Sequence, residues 1–305
     1  MNLRRLKYFV KIVDVGSLTQ AADLLHIAQP ALSQQLATLE GEVRQQLLVR
    51  TKRGVTPTEA GKVLYRHAQL ILRQCDQARV DMDAAGRGLS GAVAVGLAPG
   101  TAAAGLALPL LRTVRARHPG VVLYLNETYG STLSELVMNG RMDLAVLYGG
   151  RVAVHGLQFL PLLKEQLYVV GPSTLPAPPE QVPLRALGDV DLYLARPYNV
   201  VRKMVDEAFG GIGTTPRVVA EIESASTLTS IIAEGLGCTI LPESMARTMA
   251  ASCNAWQSLI VEPHLEAPLA LCQSDHLPLS EPAQAVKDIL VELVCAWPGS
   301  LIAPN

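Results

Sequence analysis

The chain has 305 residues, which is enough for two or three domains that each bury their own core. Its five cysteines are odd in number and have no C-x-x-C or metal-type spacing, so they fit reduced cytoplasmic thiols rather than a disulfide framework or a metal site. The net charge is −1, but the charges are unevenly distributed. Residues 1–90 hold 13 Lys and Arg against 8 Asp and Glu, whereas residues 91–305 hold 13 Lys and Arg against 19 Asp and Glu. The basic N-terminal segment weakly favours a polyanionic partner.

The first 25 residues predict two helices. Lys11 and Asp14 interrupt the apolar stretch of the first helix, so no signal peptide is expected. Ser17, followed three residues later by Gln20, forms a capping-box pattern that begins the second helix. The apolar positions of the first helix, at helical spacing, are Leu3, Leu6, Val10 and Val13.

A third helix is predicted from QPALSQQLATLEGEV, with Pro30 in its first turn. Its apolar stripe is Leu32, Leu36, Leu39 and Val43. The opposite face is small, uncharged and rich in amides, and it consists of Pro30, Ser33, Gln34 and Ala37 flanked by Gln29, Gln35 and Thr38. A solvent-facing helix usually carries Glu and Lys there, whereas amides, hydroxyls and small apolar groups suit base edges in a major groove. An ordinary polar face is the alternative.

The segment LLVRTKRGVTPTEAG predicts a strand, a basic turn at Lys52-Arg53-Gly54, a second short strand and a new helix with Thr56 as its cap. A hairpin that follows two such helices is a wing. With Arg50, Lys52 and Arg53 around its tip, the wing is expected to hold phosphates or to enter a minor groove.

A helix of about 40 Å is predicted from residue 58 to residue 85. Its apolar positions alternate steps of four and three, which is a heptad pattern. The seam is Leu64, Ala68, Ile71, Cys75, Ala78, Met82 and Ala85. A helix of this length cannot bury the seam on a small winged domain, so we expect it to pair with a second copy. Packing on the downstream domain is the alternative.

After residue 91, short apolar runs alternate with helical segments, which predicts α/β units with parallel sheets. The uncharged stretch from Gly88 to Leu111 contains Pro99-Gly100 and predicts a strand, a turn and a buried helix rather than a membrane span. The expected strands are AVAVGLA, VVLYLNET, DLAVLYGG, LYVVGP, DLYLA, RVVAEIES and LALCQS, and the expected helices lie near 102–117, 131–140, 200–209, 226–235 and 281–295.

A ligand cleft is expected beyond the carboxyl ends of the strands. The backbone near Thr101 begins a helix and could hold an anion, although the following Ala102 and Ala103 make a poor clamp. Arg196 and Arg202 could add charge. The other candidates are Thr128, Tyr148, Tyr198, Ser224 and Thr227, each of which could equally be a helix cap or a loop hydroxyl.

Catalysis is not expected, because the six histidines are scattered and no pattern combines a nucleophile with a base. No cofactor or metal is expected either. A stand-alone solute-binding protein would explain residues 91–300 but not the winged helix, so it stays a remote alternative.

The stretches AADLLHIAQPALSQQLATLE and LLVRTKRGVTPTEAG resemble the N-terminal domain of LysR-type transcriptional regulators. The resemblance implies that Gln29, Pro30, Ser33 and Gln34 face the major groove, that Arg53 enters the minor groove, and that Thr19, Gln20, Arg50 and Lys52 hold the DNA backbone. Many members carry arginine at the position of Gln34. Thr38 completes the expected DNA-binding residues.

The resemblance implies a winged helix-turn-helix domain over 1–58 (helix-turn-helix 18–37), a linker and dimerisation helix over 59–90, and an effector-binding domain over 91–300. That domain would consist of two α/β subdomains resembling periplasmic solute-binding proteins, residues 91–162 with 268–300 and residues 163–267.

The expected function is a cytoplasmic regulator that binds double-stranded promoter DNA as a homodimer or homotetramer, activates or represses genes, and has RNA polymerase as a partner. Within this family, the stretches RRLKYFVKIVDVGSLTQAA and LLVRTKRGVTPTEAGKVLY resemble regulators of nitrogen assimilation, and this resemblance implies a role in nitrogen metabolism. A catabolic regulator gated by a small organic anion is the alternative.

Overall fold

The computed structural model describes residues 1–51, 54–84, 89–99, 102–128, 130–150, 154–297 and 301. The chain forms two compact units, residues 1–91 with 139–141 and residues 92–138 with 142–305. Each unit is described by itself below.

The first unit is a winged helix-turn-helix followed by a long helix, as expected. The wing is an antiparallel hairpin of β1 and β2. The elements are α1 (Leu3–Val15), α2 (Leu18–Leu24), α3 (Gln29–Val43), β1 (Leu48–Thr51), β2 (Gly54–Pro57) and α4 (Glu59–Ala84).

One of the two predicted helix caps is confirmed and the other is wrong. Ser17 accepts a hydrogen bond from the Gln20 N–H at 3.4 Å and begins α2. Thr56 caps nothing, because it pairs with Val49 inside the wing hairpin. The cap of α4 is Thr58, whose hydroxyl accepts from the Gly61 N–H at 3.0 Å. The hairpin therefore runs two residues further than predicted.

The core of this unit lies among α1, α2, α3 and the wing. The apolar stripe of α3 is confirmed, since Leu32, Leu36 and Leu39 are buried and Val43 packs against them. The predicted stripe of α1 is wrong in part, because Leu3 is 42% exposed. The buried residues of α1 are Leu6, Phe9 and Ile12. The inward face follows the large ring of Phe9, which removes more apolar area from water than Val10 or Val13 does.

The second unit alternates strands and helices. Its predicted helices are confirmed, and strand β3 begins at Ser90, within the range expected for the linker. The elements are β3 (Ser90–Leu97), α5 (Ala102–Arg117), β4 (Gly120–Glu127), α6 (Gly130–Met138), β5 (Leu144–Tyr148), β6 (Leu157–Gly171), β7 (Gln181–Pro183), β8 (Leu192–Leu194), α7 (Val200–Gly211), β9 (Val218–Glu221), α8 (Ala225–Ala233), β10 (Thr239–Pro242), α9 (Glu243–Cys253), β11 (Trp256–Val261), β12 (Glu266–Ser274) and α10 (Glu281–Cys295).

The large sheet of the second unit is mixed rather than parallel, which corrects the prediction for it, whereas β8 and β9 form a parallel pair as predicted. One sheet has the order β4-β3-β5-β12-β6-β11-β7, with β10 also paired to β6, and β8 pairs with β9 in another. Strands β3 and β5 are parallel, but β12 runs antiparallel to both β5 and β6. The reason is topological, because β6 and β12 each carry the chain between two α/β halves and run in opposite directions.

These halves have separate cores. Leu133, Val137 and Cys272 belong to one, and Leu228, Ile232 and Met249 belong to the other. Two α/β subdomains therefore follow the linker helix. Strand β6 spans both, pairing with β12 over residues 157–166 and with β10 and β11 over its remaining length. Among the described ranges, no helix combines the length and the apolar composition needed to cross a membrane.

Candidate nucleic-acid interface

The face of α3 opposite the core is exposed and carries no charge. Gln29, Pro30, Gln34 and Thr38 are exposed, and Ser33 is half-buried. The two acidic residues of α3 are engaged elsewhere. The carboxylate of Glu40 accepts from the N–H groups of Leu47 at 2.8 Å and Leu48 at 3.2 Å. Nothing on this face would repel a phosphate.

Glu42, the second acidic residue of α3, pairs with cations. Its carboxylate lies 3.0 Å from the N-terminal ammonium and 2.5 Å from an Arg5 guanidinium nitrogen. Hydrogen bonds from these two cations lower the pKa of the Glu42 carboxyl below its usual value. Arg5 also donates to the amide oxygen of Gln35 at 3.1 Å, so this glutamine beside the exposed face is held by α1.

The wing is joined to the exposed face of α3 by a side-chain hydrogen bond. A guanidinium nitrogen of Arg50, on β1, donates to the hydroxyl oxygen of Ser33 at 2.8 Å. Thr19 and Gln20 are exposed on α2. Lys52 and Arg53, which were expected at the wing tip, lie outside the described residues. The structure thus brings together Ser33, which is expected to face base edges, and Arg50, which is expected to hold the DNA backbone.

The wing is anchored by a close approach of two backbones. The Val55 N–H donates to the carbonyl oxygen of Gly16 at 2.8 Å. Gly54 has a φ of +124°, and a Cβ at that position would lie 2.5 Å from the same oxygen. Only glycine tolerates both conditions, so the start of β2 lies in close contact with the end of α1.

The seam expected on α4 divides into two parts. Leu64 is half-buried and packs against the core of the winged domain, and Ala68 is fully buried within one chain. The seam is corrected at Ala68, because its side chain leaves no surface for a partner. The later positions remain: Ile71 and Cys75 are half-buried, Ala78 and Met82 are exposed, and Ala85 lies outside the described residues. The apolar positions left for a partner begin at Ile71.

The second unit contains a cavity of about 620 Å³ lined by both halves. Tyr148, Tyr198, Arg202 and Ser224 line it, as expected for the cleft. Thr128, Arg196 and Thr227 do not line it, which is a correction. The Thr128 N–H is bonded to Leu97, and the Thr227 hydroxyl donates to Ser224 at 3.0 Å. Arg196 is 59% exposed and pairs with Glu221 at 3.8 Å. Thr101 lies outside the described residues.

The charge of Arg202 in this cavity is already neutralised. Its guanidinium is 2.8 Å from the Asp206 carboxylate and 3.6 Å from that of Glu221, and it donates to the Ala195 carbonyl at 2.7 Å. Glu223 also lines the cavity, and its hydrogen bond raises the pKa of the Tyr198 hydroxyl above the usual value. Lys203 and Glu207 line the cavity as well, so its described wall carries two cations and two carboxylates and has no excess of positive charge for an anionic ligand.

Sequence reasoning missed Glu165, a buried carboxylate in the middle of β6. It accepts hydrogen bonds from the Tyr148 hydroxyl and, at 2.9 Å, from the Ser244 N–H at the start of α9. The feature of the sequence that could have indicated this residue is an acidic side chain inside the apolar strand LLKEQLYVV. A buried carboxylate needs such partners. Through these two hydrogen bonds, Glu165 links the end of β5 in one subdomain to α9 in the other.

Residues 3–62 match the family described as bacterial regulatory helix-turn-helix protein, lysR family, and residues 86–294 match the LysR substrate binding domain. The chain is 54% identical over 294 residues to the nitrogen assimilation regulatory protein nac of Klebsiella aerogenes, covering 96% of this chain and 95% of that protein. It is 51% identical to the protein of the same name in Escherichia coli (strain K12), with the same coverage.

Two solved structures share the fold over all or nearly all of the chain. A full-length OxyR variant from Pseudomonas aeruginosa has a TM-score of 0.72 at 22% identity, covering 100% of this chain and 99% of that one. Full-length CbnR complexed with its target DNA has a TM-score of 0.67 at 22% identity, covering 96% and 100%. At this identity the likeness concerns the fold alone. The two family matches and the two relatives span nearly all of the sequence, and the chain belongs to the LysR family of DNA-binding transcriptional regulators.

Proposed function

We propose that the protein binds promoter DNA as a homodimer and controls genes of nitrogen assimilation. The observation that carries the DNA-binding mode is the exposed, uncharged face of α3 joined to the wing by Arg50. Amide and hydroxyl groups on such a face suit base edges in the major groove. The nitrogen role is supported by the names of the two relatives that are 54% and 51% identical.

The residues expected to touch DNA have distinct roles in this proposal. Gln29, Pro30, Ser33 and Gln34 face base edges, with Thr38 beside them. Thr19, Gln20, Arg50 and Lys52 hold the backbone, and Arg53 enters the minor groove. Two copies joined through α4, from Ile71 onward, would contact two half-sites separated by whole helical turns.

A tetramer is supported by exposed apolar side chains on α5 and β4, in addition to the apolar positions of α4. Leu108 and Leu111 on α5 are 54% and 45% exposed. Val122 and Tyr124 are exposed on β4, which is the edge strand of its sheet. Large exposed apolar side chains next to a strand edge are typical of an interface. Light scattering of the intact protein distinguishes a mass of two chains from a mass of four.

The cavity gives little support to the alternative of a catabolic regulator gated by an organic anion, because Arg202 already pairs with two carboxylates and the other lining cation, Lys203, is balanced by Glu207 and Glu223. A thermal-shift screen against carboxylates, amino acids and aromatic acids tests this. A ligand at a hundredfold excess over its Kd stabilises the native state by about 2.7 kcal/mol. A flat screen supports a regulator that is active as made, and a clear rise with one anion would establish the alternative.

The nitrogen proposal is tested in an Escherichia coli K12 strain that lacks its own relative. We expect this chain, acting in the cytoplasm with RNA polymerase, to restore the transcripts that depend on that relative. A Gln29→Ala variant at equal abundance should not restore them. Failure of the unaltered chain, while it still binds DNA from a random-sequence pool, would overturn the nitrogen role and leave the DNA-binding function standing.

In purified protein, Gln29→Ala should cut specific binding and spare most non-specific binding. The loss of a bidentate base contact costs about 1–3 kcal/mol for the specific site. Competition binding against a duplex of unrelated sequence measures both affinities. An equal loss on both duplexes would contradict base contact by Gln29.

A further inference from the structure

We infer that Arg50 is a positioning residue for Ser33, orienting the Ser33 hydroxyl as a hydrogen-bond donor toward guanine in the major groove. In this arrangement Arg50 contributes to sequence preference without touching a base. This role rests on the proposed DNA-binding mode and is additional to the contact with the DNA backbone expected for Arg50.

The contact joins two elements that are distant in sequence. Ser33 lies in the second turn of α3, on the exposed face, and Arg50 lies on β1 of the wing. The distance from the guanidinium nitrogen to the hydroxyl oxygen is 2.8 Å. Hydrogen bonds from an ionised donor are shorter and stronger than neutral ones, so this one can hold the hydroxyl in one orientation.

The backbone that carries Arg50 is fixed at both of its sides. Before Arg50, the N–H groups of Leu47 and Leu48 are bonded to the Glu40 carboxylate of α3 itself. Across the hairpin, Arg50 is paired with Val55, which is buried and whose N–H is bonded to Gly16. The guanidinium of Arg50 therefore reaches α3 from a hairpin that is hydrogen-bonded both to α3 and to the end of α1.

The bond determines what Ser33 can offer to DNA. A hydroxyl has one proton and two lone pairs, and a guanidinium can only donate. The Ser33 oxygen therefore accepts from Arg50, and its proton remains available for DNA. Thr38 is the opposite case, because its hydroxyl donates to the Gln34 carbonyl at 2.8 Å and its oxygen is left as an acceptor. The two hydroxyls of this face thus have opposite hydrogen-bonding sense.

A donor beside a cation favours guanine. In the major groove guanine presents two neighbouring acceptors, N7 and O6, whereas thymine presents one acceptor, O4, beside its methyl group, adenine places an amino donor beside its N7, and cytosine presents an amino donor. The positive charge of Arg50 favours the same acceptor-rich edge. Arg50 has five N–H groups and uses one on Ser33, so the others stay available for a phosphate.

The effect of Arg50 on base preference distinguishes a residue that orients Ser33 from one that only binds phosphate. An arginine that only held phosphate would weaken binding to all sequences alike. An arginine that also orients Ser33 changes the preference at the base pair that Ser33 faces. Lys52, which is expected to hold phosphate only, is the control.

The experiment starts from duplexes selected by the unaltered full-length protein from a randomised pool. Base preferences at each position are then measured by competition for Ser33→Ala, Arg50→Ala, the double variant and Lys52→Ala. We expect Ser33→Ala to lower the preference for guanine at one position per half-site roughly tenfold. Arg50→Ala should weaken binding overall and lower the preference at the same position, with no further loss of preference in the double variant. Lys52→Ala should weaken all sequences equally.

A base analogue and two conservative variants complete the test. Replacing the guanine by 7-deazaguanine removes N7 and should weaken the unaltered protein but not Ser33→Ala. Ser33→Thr and Arg50→Lys keep a hydroxyl and a cationic donor, so they should restore part of the preference. Equal melting temperatures exclude misfolding. The proposal is overturned if Arg50→Ala leaves the guanine preference intact, or if Ser33→Ala changes no position.

Discussion

The backbone of Val55 in the wing is bonded to the backbone of Gly16 at the end of α1, with an N···O distance of 2.8 Å. Gly16 has a φ of +69°, and Gly54, next to Val55, has a φ of +124°. Two glycines therefore let strand β2 of the wing approach the end of α1 closely.

Gly54→Ala should destabilise the winged domain. The new Cβ would lie 2.5 Å from the Gly16 oxygen and the backbone would be strained, for an expected loss of about 1–3 kcal/mol. Gly41→Ala is the matched control, since that position lies in α3 with no atom within 4 Å of an added Cβ. It should gain about 0.5–1 kcal/mol. Urea unfolding followed by circular dichroism compares the two, and a neutral Gly54→Ala would show that the wing can move away from α1.

Ile71→Asp should reduce the mass of the oligomer in light scattering. Ile71 is half-buried in a single chain, and the exposed Met82 follows it along the same seam. An aspartate between two helices would be desolvated without a partner, which is strongly unfavourable. Arg66→Asp introduces the same side chain on the opposite face of α4 and should leave the mass unchanged. An unchanged mass for Ile71→Asp would refute the seam.

Glu165→Leu should lower the stability of the second unit by about 1–3 kcal/mol, because it removes the acceptor of the Ser244 N–H and the hydrogen bond that the Tyr148 hydroxyl donates to Glu165. Glu165→Gln should cost much less, since the amide oxygen can accept from Ser244 while the amide nitrogen donates to Tyr148. Differential scanning calorimetry separates the two variants. Equal losses would mean that the charge, and not the hydrogen bonds, stabilises this position.

We expect the cysteines to differ in their reactivity with an alkylating reagent. Burial raises the pKa of the Cys238 thiol to about 11 and that of Cys272 to about 12, so both remain protonated thiols at pH 8. Because the thiolate is the nucleophile, neither should react with iodoacetamide in the native state. Cys253 and Cys295 are half-buried and should be alkylated. Peptide mass mapping reports each site, and unfolding in urea should make Cys238 and Cys272 react.

Several elements were predictable because their causes are local. The amphipathic pattern of α3 and the cap at Ser17 depend on residues within one or two helical turns, and both are observed. Strands β7, β10 and β11 and helix α9 were missed, as was the first half of β6. That half contains Pro161, close to a register shift opposite Leu269 and Ala270, and such a break interrupts the alternation from which a strand is predicted.

The sequence by itself determined the helix-turn-helix, the wing, the long helix and the α/β character of the rest, because spacing and side-chain chemistry along a short stretch specify each of them. Only the tertiary structure decided that Arg50 bonds Ser33, that Leu64 packs against the winged-domain core while Ala68 is buried, and that the charge of Arg202 is already neutralised. The contacts of Arg50 and Glu165 join residues 17 to 79 positions apart. Pairing at such separations depends on how the chain returns on itself, which no local pattern encodes.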